Sequence, residues 1–236
     1  LVIVSGIIQT TLAFAVGLLA ARNKDNIIDG IVRMLSYIGV SVPSFVWAIC
    51  FLLLFGFIWQ VLPVINRLST GILPPRRITG MYIFDFLVAG NFSGAWDAFL
   101  HVFLPSLSLA IGHIFSEARI LRSSLIDNMN KEFISVTNAY GIPKNKLMRK
   151  YLLKPSAISM VTIAGLDFAT TLGNAFLVET IFNWPGLSRY GLMAMMSKDL
   201  NAISVVIIII GLIFMIANIA VDIVIAVLDP RVRLGD

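Results

Sequence analysis

The sequence predicts an all-α fold, a polytopic bundle of membrane-spanning helices. Three observations carry that expectation. Of the 236 residues, 58% are hydrophobic and only 13% are charged, against about 25% charged in an ordinary soluble domain. Five runs are long and apolar enough to cross the ~30 Å hydrocarbon core of a bilayer. The basic residues concentrate in alternate connections between those runs, as membrane topology requires. Mean hydropathy is +0.90. The net charge of +5 would suggest a nucleic-acid partner only if the basic residues formed a patch, and here they flank apolar segments instead.

The five runs are residues 1–21, 34–60, 98–116, 156–181 and 202–227. The first two carry no charge, and the second contains Pro43. The third carries only His101 and His113, and it includes Pro105. The fourth carries Asp167 and Glu179, and the fifth only Asp222. Each is expected to be helical, because lipid offers no other way to satisfy an open backbone.

Charge placement sets the orientation. Thirteen of the 18 Lys and Arg residues lie in segments 22–33, 117–155 and 228–236, and five lie in 61–97 and 182–201. That bias puts the first set in the cytoplasm and the second outside. The first run then begins outside and runs inward without a basic segment ahead of it. A further helix upstream of Leu1 is therefore expected, six in the full-length protein. Segment 61–97 is rich in Pro and Gly and reads as irregular with at most short helices. Segment 182–201 reads as a Pro185-Gly186 turn and a short helix from Leu187 to Met196, with Trp184 at the interface.

The polar segment 119–155 holds eight of the Lys and Arg residues. It reads as a short helix, a break at Gly141, and a second short basic helix ending at Pro155. Phe133, Val136 and Tyr140 share one face of the first helix. A cytosolic helix that shows an aromatic face needs a groove to fill. Gly141 permits a sharp turn, and Pro143 can begin the second helix. Lys144, Lys146, Arg149 and Lys150 then face headgroups or acidic partner residues. The alternative is an amphipathic helix resting on lipid.

Chemistry is sparse. No G-x-x-x-x-G-K-[ST] stretch occurs, so no nucleotide site is expected on this chain. No nucleophile–base pair or metal set is expected either. His113 and Glu117 stand four apart, readable as a helix-lining polar pair or as a metal or proton site. The single cysteine, Cys50, is expected to be a small buried hydrophobe. Asp167 lies mid-span near Thr171, where buried charge is functional by default. It either lines a water-filled pathway or makes a structural hydrogen bond. Glu179, near the external end, is expected to be structural or to contact substrate, and Asp222 to pair with a basic residue of the polar loop.

Four ordered motifs carry a family resemblance. Ser135-Val136-Thr137, three residues and Gly141 stand where the "EAA" region of ABC-importer permease subunits has Glu-Ala-Ala and its glycine, and the later Leu-Pro is displaced to Lys154-Pro155. Val178-Glu179-Thr180-Ile181-Phe182-Asn183-Trp184-Pro185-Gly186-Leu187 resembles the "ET-F-WPGLG" segment of the oligopeptide, dipeptide and nickel permease group. Ser41-Val42-Pro43-Ser44-Phe45 and Leu228-Asp229-Pro230-Arg231-Val232-Arg233 resemble that group's "PSF" and "LDPR-R" segments.

The resemblance implies a single permease domain over 1–236, lacking its N-terminal part, with 119–155 as a cytoplasmic coupling loop. It implies an inner-membrane subunit that forms the translocation path for di- or oligopeptides, or for nickel or another small solute, by alternating access. A secondary transporter is the competing class, although the repeats it would need are not evident. The implied partners are a second permease subunit, two cytoplasmic ATPase subunits, an extracytoplasmic binding protein and lipid. ATP and Mg would bind the ATPase, with no cofactor on this chain. The coupling residues would be Glu132, Phe133, Val136, Thr137, Ala139, Tyr140 and Gly141. Asp167 and Thr171 would line the pathway, and Glu179, Trp184, Pro185 and Gly186 would form the structural motif.

Overall fold

A computed structural model describes residues 1–143 and 146–228. All regular structure among them is helical. The α-helices are α1 (Val2–Arg22), α2 (Ile27–Ser41), α3 (Ser44–Phe51), α4 (Tyr82–Val88), α5 (Phe92–Met129), α6 (Glu132–Ala139), α7 (Lys154–Ile181), α8 (Leu187–Met196) and α9 (Leu200–Leu228). A π-helical stretch, Leu52–Ile58, extends α3, and a second, Leu147–Leu153, leads into α7. Helices α1, α5 and α9 are long and apolar enough to cross a membrane, and the number reaches five when each of two broken helix pairs is one span.

Several expectations need correction. Run 34–60 was expected as one helix, but it breaks after Ser41. Val42 and Pro43 are extended, at φ −99°, ψ 119° and φ −59°, ψ 149°. Proline lacks an N–H and pushes its predecessor out of the helical region, so the helix must restart. Run 98–116 is only the middle of α5, whose 38 residues reach about 57 Å at 1.5 Å each. The polar stretch after residue 116 stays helical because Ala118, Leu121 and Leu125 continue a buried apolar stripe. The second short helix of the loop is not separate, since the π-helical stretch runs directly into α7. Lys154 and Pro155 therefore open α7, where proline is tolerated. Cys50 is exposed on the chain, not buried. Asp222 is exposed and makes no ion pair among the described residues. Lys144 and residues 229–233 lie outside the described residues, as do the side chains of Ser135, Arg149 and Lys150.

The chain divides into two compact units. The first comprises residues 1–8, 43–110 and 171–209. Its core joins Ala48, Leu104, Leu109, Ala175, Val178 and Phe182. Phe86, Ala95 and Ala98 form a smaller cluster around α4 and the start of α5. Asn91 opens α5 by accepting the Gly94 N–H at 2.9 Å, a side-chain cap.

The second unit comprises residues 9–42, 111–170 and those from 210 on. In lipid, helices associate through close packing rather than the hydrophobic effect, so small residues mark the contacts. A Cβ on Gly112 of α5 would meet the Gly39 carbonyl oxygen of α2 at 2.8 Å, and one on Gly17 of α1 would meet the Ala118 carbonyl of α5 at the same distance. Helix α5 is thus the element on which α1 and α2 lie. The core of this unit contains Leu121, Leu125, Ile134, Leu147, Leu152 and Met160.

Candidate functional site

Among the described side chains of α6, those on one side are buried against the second unit. Ile134 is 5% exposed and joins the apolar core, and Thr137, three residues on, is also buried. Burying a side chain such as Ile134 is worth about 1.5–3 kcal/mol, which fixes the rotation of this two-turn helix. The opposite side carries Glu132, Val136, Ala139 and Tyr140, all exposed, with Tyr140 at 82%. The structure therefore separates the coupling candidates. Thr137 is turned inward with Ile134, away from the exposed candidates. The Phe133 side chain lies outside the described residues. Gly141 follows at φ +69°, the left-handed region that glycine alone enters freely. The Pro143 carbonyl then accepts the Lys146 and Leu147 N–H groups at 2.9 and 3.0 Å. The Asn128 amide donates to Ser156 Oγ at 2.8 Å, and that hydroxyl donates to the Ser124 carbonyl at 3.2 Å. These bonds tie the end of α5 to the start of α7 on either side of α6.

The same unit holds three polar pairs. Arg122 donates from two nitrogens to the fully buried carboxylate of Asp29, and the Asp25 N–H and Arg33 approach it as well. The Gln9 amide donates to Glu117, and both side chains are buried. His113 Nδ1 lies 3.2 Å from Asp167 Oδ2. Glu117 also interacts with His113 and with Asp167, so the three side chains form one polar cluster. Asp167 stays partly open, with a fifth of its side chain exposed. Thr171, in the first unit, is 2% exposed and faces the chain's own interior. Gln9, Asp29 and Arg122 carried no signal in the sequence, because their partners are 93 to 108 residues away.

In the first unit, Glu179, Trp184, Pro185 and Gly186 form one turn. Trp184 N–H donates to the Glu179 carbonyl at 2.7 Å, and Gly186 N–H to the Trp184 carbonyl at 2.9 Å. The Glu179 carboxylate turns back and accepts the Arg189 N–H at 2.8 Å. That amide is one of the unpaired donors at the start of α8, so the carboxylate caps the helix from outside it. A Cβ on Gly186 would lie 2.0 Å from Glu179 Oε1. Only glycine leaves room for the carboxylate at this point.

Beside that turn, Arg67 lies over the Tyr82 ring at 3.5 Å and near the Trp184 ring at 5.5 Å. It donates to the Gly80 carbonyl at 2.8 Å. Burial pulls its pKa down, while Tyr82 and Asp85 act in the opposite direction. Asp85 itself accepts from Ile78, Thr79 and Gly80 at 2.7–3.4 Å. Burial alone would push its pKa up, but these hydrogen bonds, led by those from Thr79, hold it below the ordinary carboxylate range.

The comparisons with known proteins agree with this architecture. The chain is 30% identical to the probable D,D-dipeptide transport system permease protein DdpB of Escherichia coli K12, over 93% of this chain and 64% of the relative. It is 31% identical to the dipeptide transport system permease protein DppB of Alkalihalophilus pseudofirmus, over 92% and 65%. It is 27% identical to the di/tripeptide transport system permease protein DppB of Pseudomonas aeruginosa, over 94% and 66%. The chain thus spans just under two thirds of the length of these relatives. A model of one family matches residues 13–234, nearly the whole sequence. The chain belongs to the family of binding-protein-dependent transport system inner membrane components.

Proposed function

We propose that this chain is a membrane permease subunit of an ATP-driven, binding-protein-dependent importer, and that it forms part of the translocation path for di- and oligopeptides. The observation that carries the reading is α6. A short helix is held from one side by Ile134 and Thr137 and shows Val136 and Tyr140 on the other, beside a segment rich in Lys and Arg. An exposed aromatic on a helix outside the lipid favours a groove on a partner. Two cytoplasmic ATPase subunits, binding ATP and Mg, would take these helices from this chain and from a second permease. Closure of the ATPases would rock the helix bundles between inward- and outward-open states. An extracytoplasmic binding protein would deliver the peptide. The names of the similar proteins, dipeptide and di/tripeptide permeases, support the choice of substrate.

The test is transport by the assembled complex. Permeases and ATPases would be reconstituted in liposomes with binding protein, and uptake of labelled dialanine followed with ATP or a non-hydrolysable analogue. ATP-dependent uptake, unaffected by excess nickel, is expected. Uptake without ATP, or uptake of nickel in place of peptide, would reject the proposal.

A further inference from the structure

The first unit contains an open pocket of about 360 Å³ whose lining includes Asn66, Arg67, Tyr82, Asn183, Pro185 and Arg189. Two guanidinium groups face it, and the nearby acids spend their hydrogen bonds on backbone and hydroxyl donors and not on these side chains. Asp85 is occupied by the amides of residues 78–80. Asp97 accepts from the Ser69 N–H and hydroxyl at 2.9 and 2.6 Å. Glu179 caps α8. Among the described residues, neither Arg67 nor Arg189 has a carboxylate within 4.0 Å. Arg67 makes one hydrogen bond, to the Gly80 carbonyl, and its buried Nε has no acceptor. Arg189 Nη1 donates to Asn183 Oδ1 at 2.6 Å, and the Asn183 amide donates to Asn66. A guanidinium offers five donors in a fixed fork that matches a carboxylate, and most of those ten donors are unspent.

The pocket is also held in place. The Tyr82 ring fixes the plane of Arg67, and the chain at Asn66 and Asn183 is left-handed, at φ +68° and +52°. The Asn66 N–H donates to the Phe182 carbonyl at 3.2 Å, so the two asparagine turns are joined. Such strain persists only where the surroundings determine it. The volume falls within the range of small-molecule sites. Both flanking segments, 61–97 and 182–201, are those that charge placement puts outside.

We propose that this pocket binds the carboxylate of a small ligand between Arg67 and Arg189, and that in transport it receives the C-terminal carboxylate of a peptide. The second clause rests on the function proposed above, whereas the first does not.

The test uses the assembled permease–ATPase complex in lipid nanodiscs, with the binding protein omitted. Equilibrium binding is measured for dialanine and for dialanine amide, which lacks the carboxylate. Wild-type complex should bind the acid and discriminate against the amide by about tenfold to a hundredfold, the range that a hydrogen bond to a charged group carries. Arg189→Gln and Arg67→Gln should each weaken the acid by a similar factor and leave the amide unchanged. Arg76→Gln, which removes an exposed charge from the same segment but does not line the pocket, should leave both unchanged. Should Arg67→Gln fail to assemble, Arg189→Gln decides the question alone. Equal binding of acid and amide, binding of neither, or full acid binding by Arg189→Gln would overturn the site. Uptake of dialanine by the wild-type complex with its binding protein is measured alongside. Uptake without acid–amide discrimination leaves the transport reading standing and removes this pocket. Discrimination without uptake does the reverse.

Discussion

Replacing Gly141 by valine should disconnect peptide transport from ATP hydrolysis. Gly141 holds φ at +69°, and a Cβ built there meets no heavy atom within 4 Å. The cost of a side chain is therefore backbone strain with no steric clash added. An L-residue in the left-handed region costs about 1–2 kcal/mol, with β-branched residues at the upper end and asparagine at the lower. That strain reduces the population of the native turn about 5- to 30-fold. The turn sets the direction in which the chain leaves α6, so its loss tilts the face that carries Val136 and Tyr140. The series Asn, Ala, Val at position 141 should grade the effect. Gly30 of α2, where an added Cβ also meets nothing within 4 Å, is the control. There φ is not positive, so Gly30→Ala should be neutral or stabilising by up to about 1 kcal/mol. The assays are hydrogen exchange of residues 139–142 and substrate-stimulated ATPase activity of the complex. If Gly141→Val matches wild type in both, or if asparagine is as harmful as valine, the turn does not orient the docking helix.

Three further outcomes follow from the geometry. Gly186→Ala should lower the melting temperature of the complex through a loss of about 1–3 kcal/mol, because its Cβ displaces the Glu179 carboxylate. In a Glu179→Ala background the added penalty should shrink, and additive effects would show that the two do not touch. Asp85 should make the segment from Ile78 to Asp85 acid-sensitive. Its folded pKa is depressed, so its contribution is complete above the ordinary carboxylate range and is lost as pH falls through the lower folded value. Asp85→Asn should flatten the low-pH limb of a stability profile, and an unchanged limb would contradict this. Asp167→Leu leaves His113 without its 3.2 Å partner and should cut the yield of assembled complex, at a cost of about 1–3 kcal/mol for a stranded polar group. Asp167→Asn should assemble normally, and wild-type yield and uptake from both variants would exclude any role for Asp167.

Short-range grammar was legible in the sequence. The Pro185-Gly186 turn and the helix Leu187–Met196 stand as expected, because proline, glycine and periodicity act over a few residues. The short helix before Gly141 and its positive φ follow from the same local rules. Longer consequences were not legible. Nothing in the charge pattern told that α5 continues to Met129, because the stripe of Ala118, Leu121 and Leu125 is meaningful only once its covering residues are known. The break at Pro43 was visible as a proline, but apolarity alone does not separate a kinked helix from a broken one. The inward turn of Thr137 depends on tertiary packing, and the pairs Gln9–Glu117 and Asp29–Arg122 join residues 108 and 93 apart. No single-sequence periodicity encodes them. The arginines of the pocket were visible only as residues on the minor side of a charge count.

The exposed face of α6 is the surface proposed to meet an ATPase. Photo-crosslinking tests it directly. A benzoylphenylalanine placed at Tyr140, 82% exposed, should yield an adduct of this chain with the ATPase subunit in the purified complex. The same group at Ile134, 5% exposed, should yield none. An ATPase adduct from position 140 and not from 134 is the predicted result. No adduct from position 140 in a complex that still hydrolyses ATP would contradict the central claim.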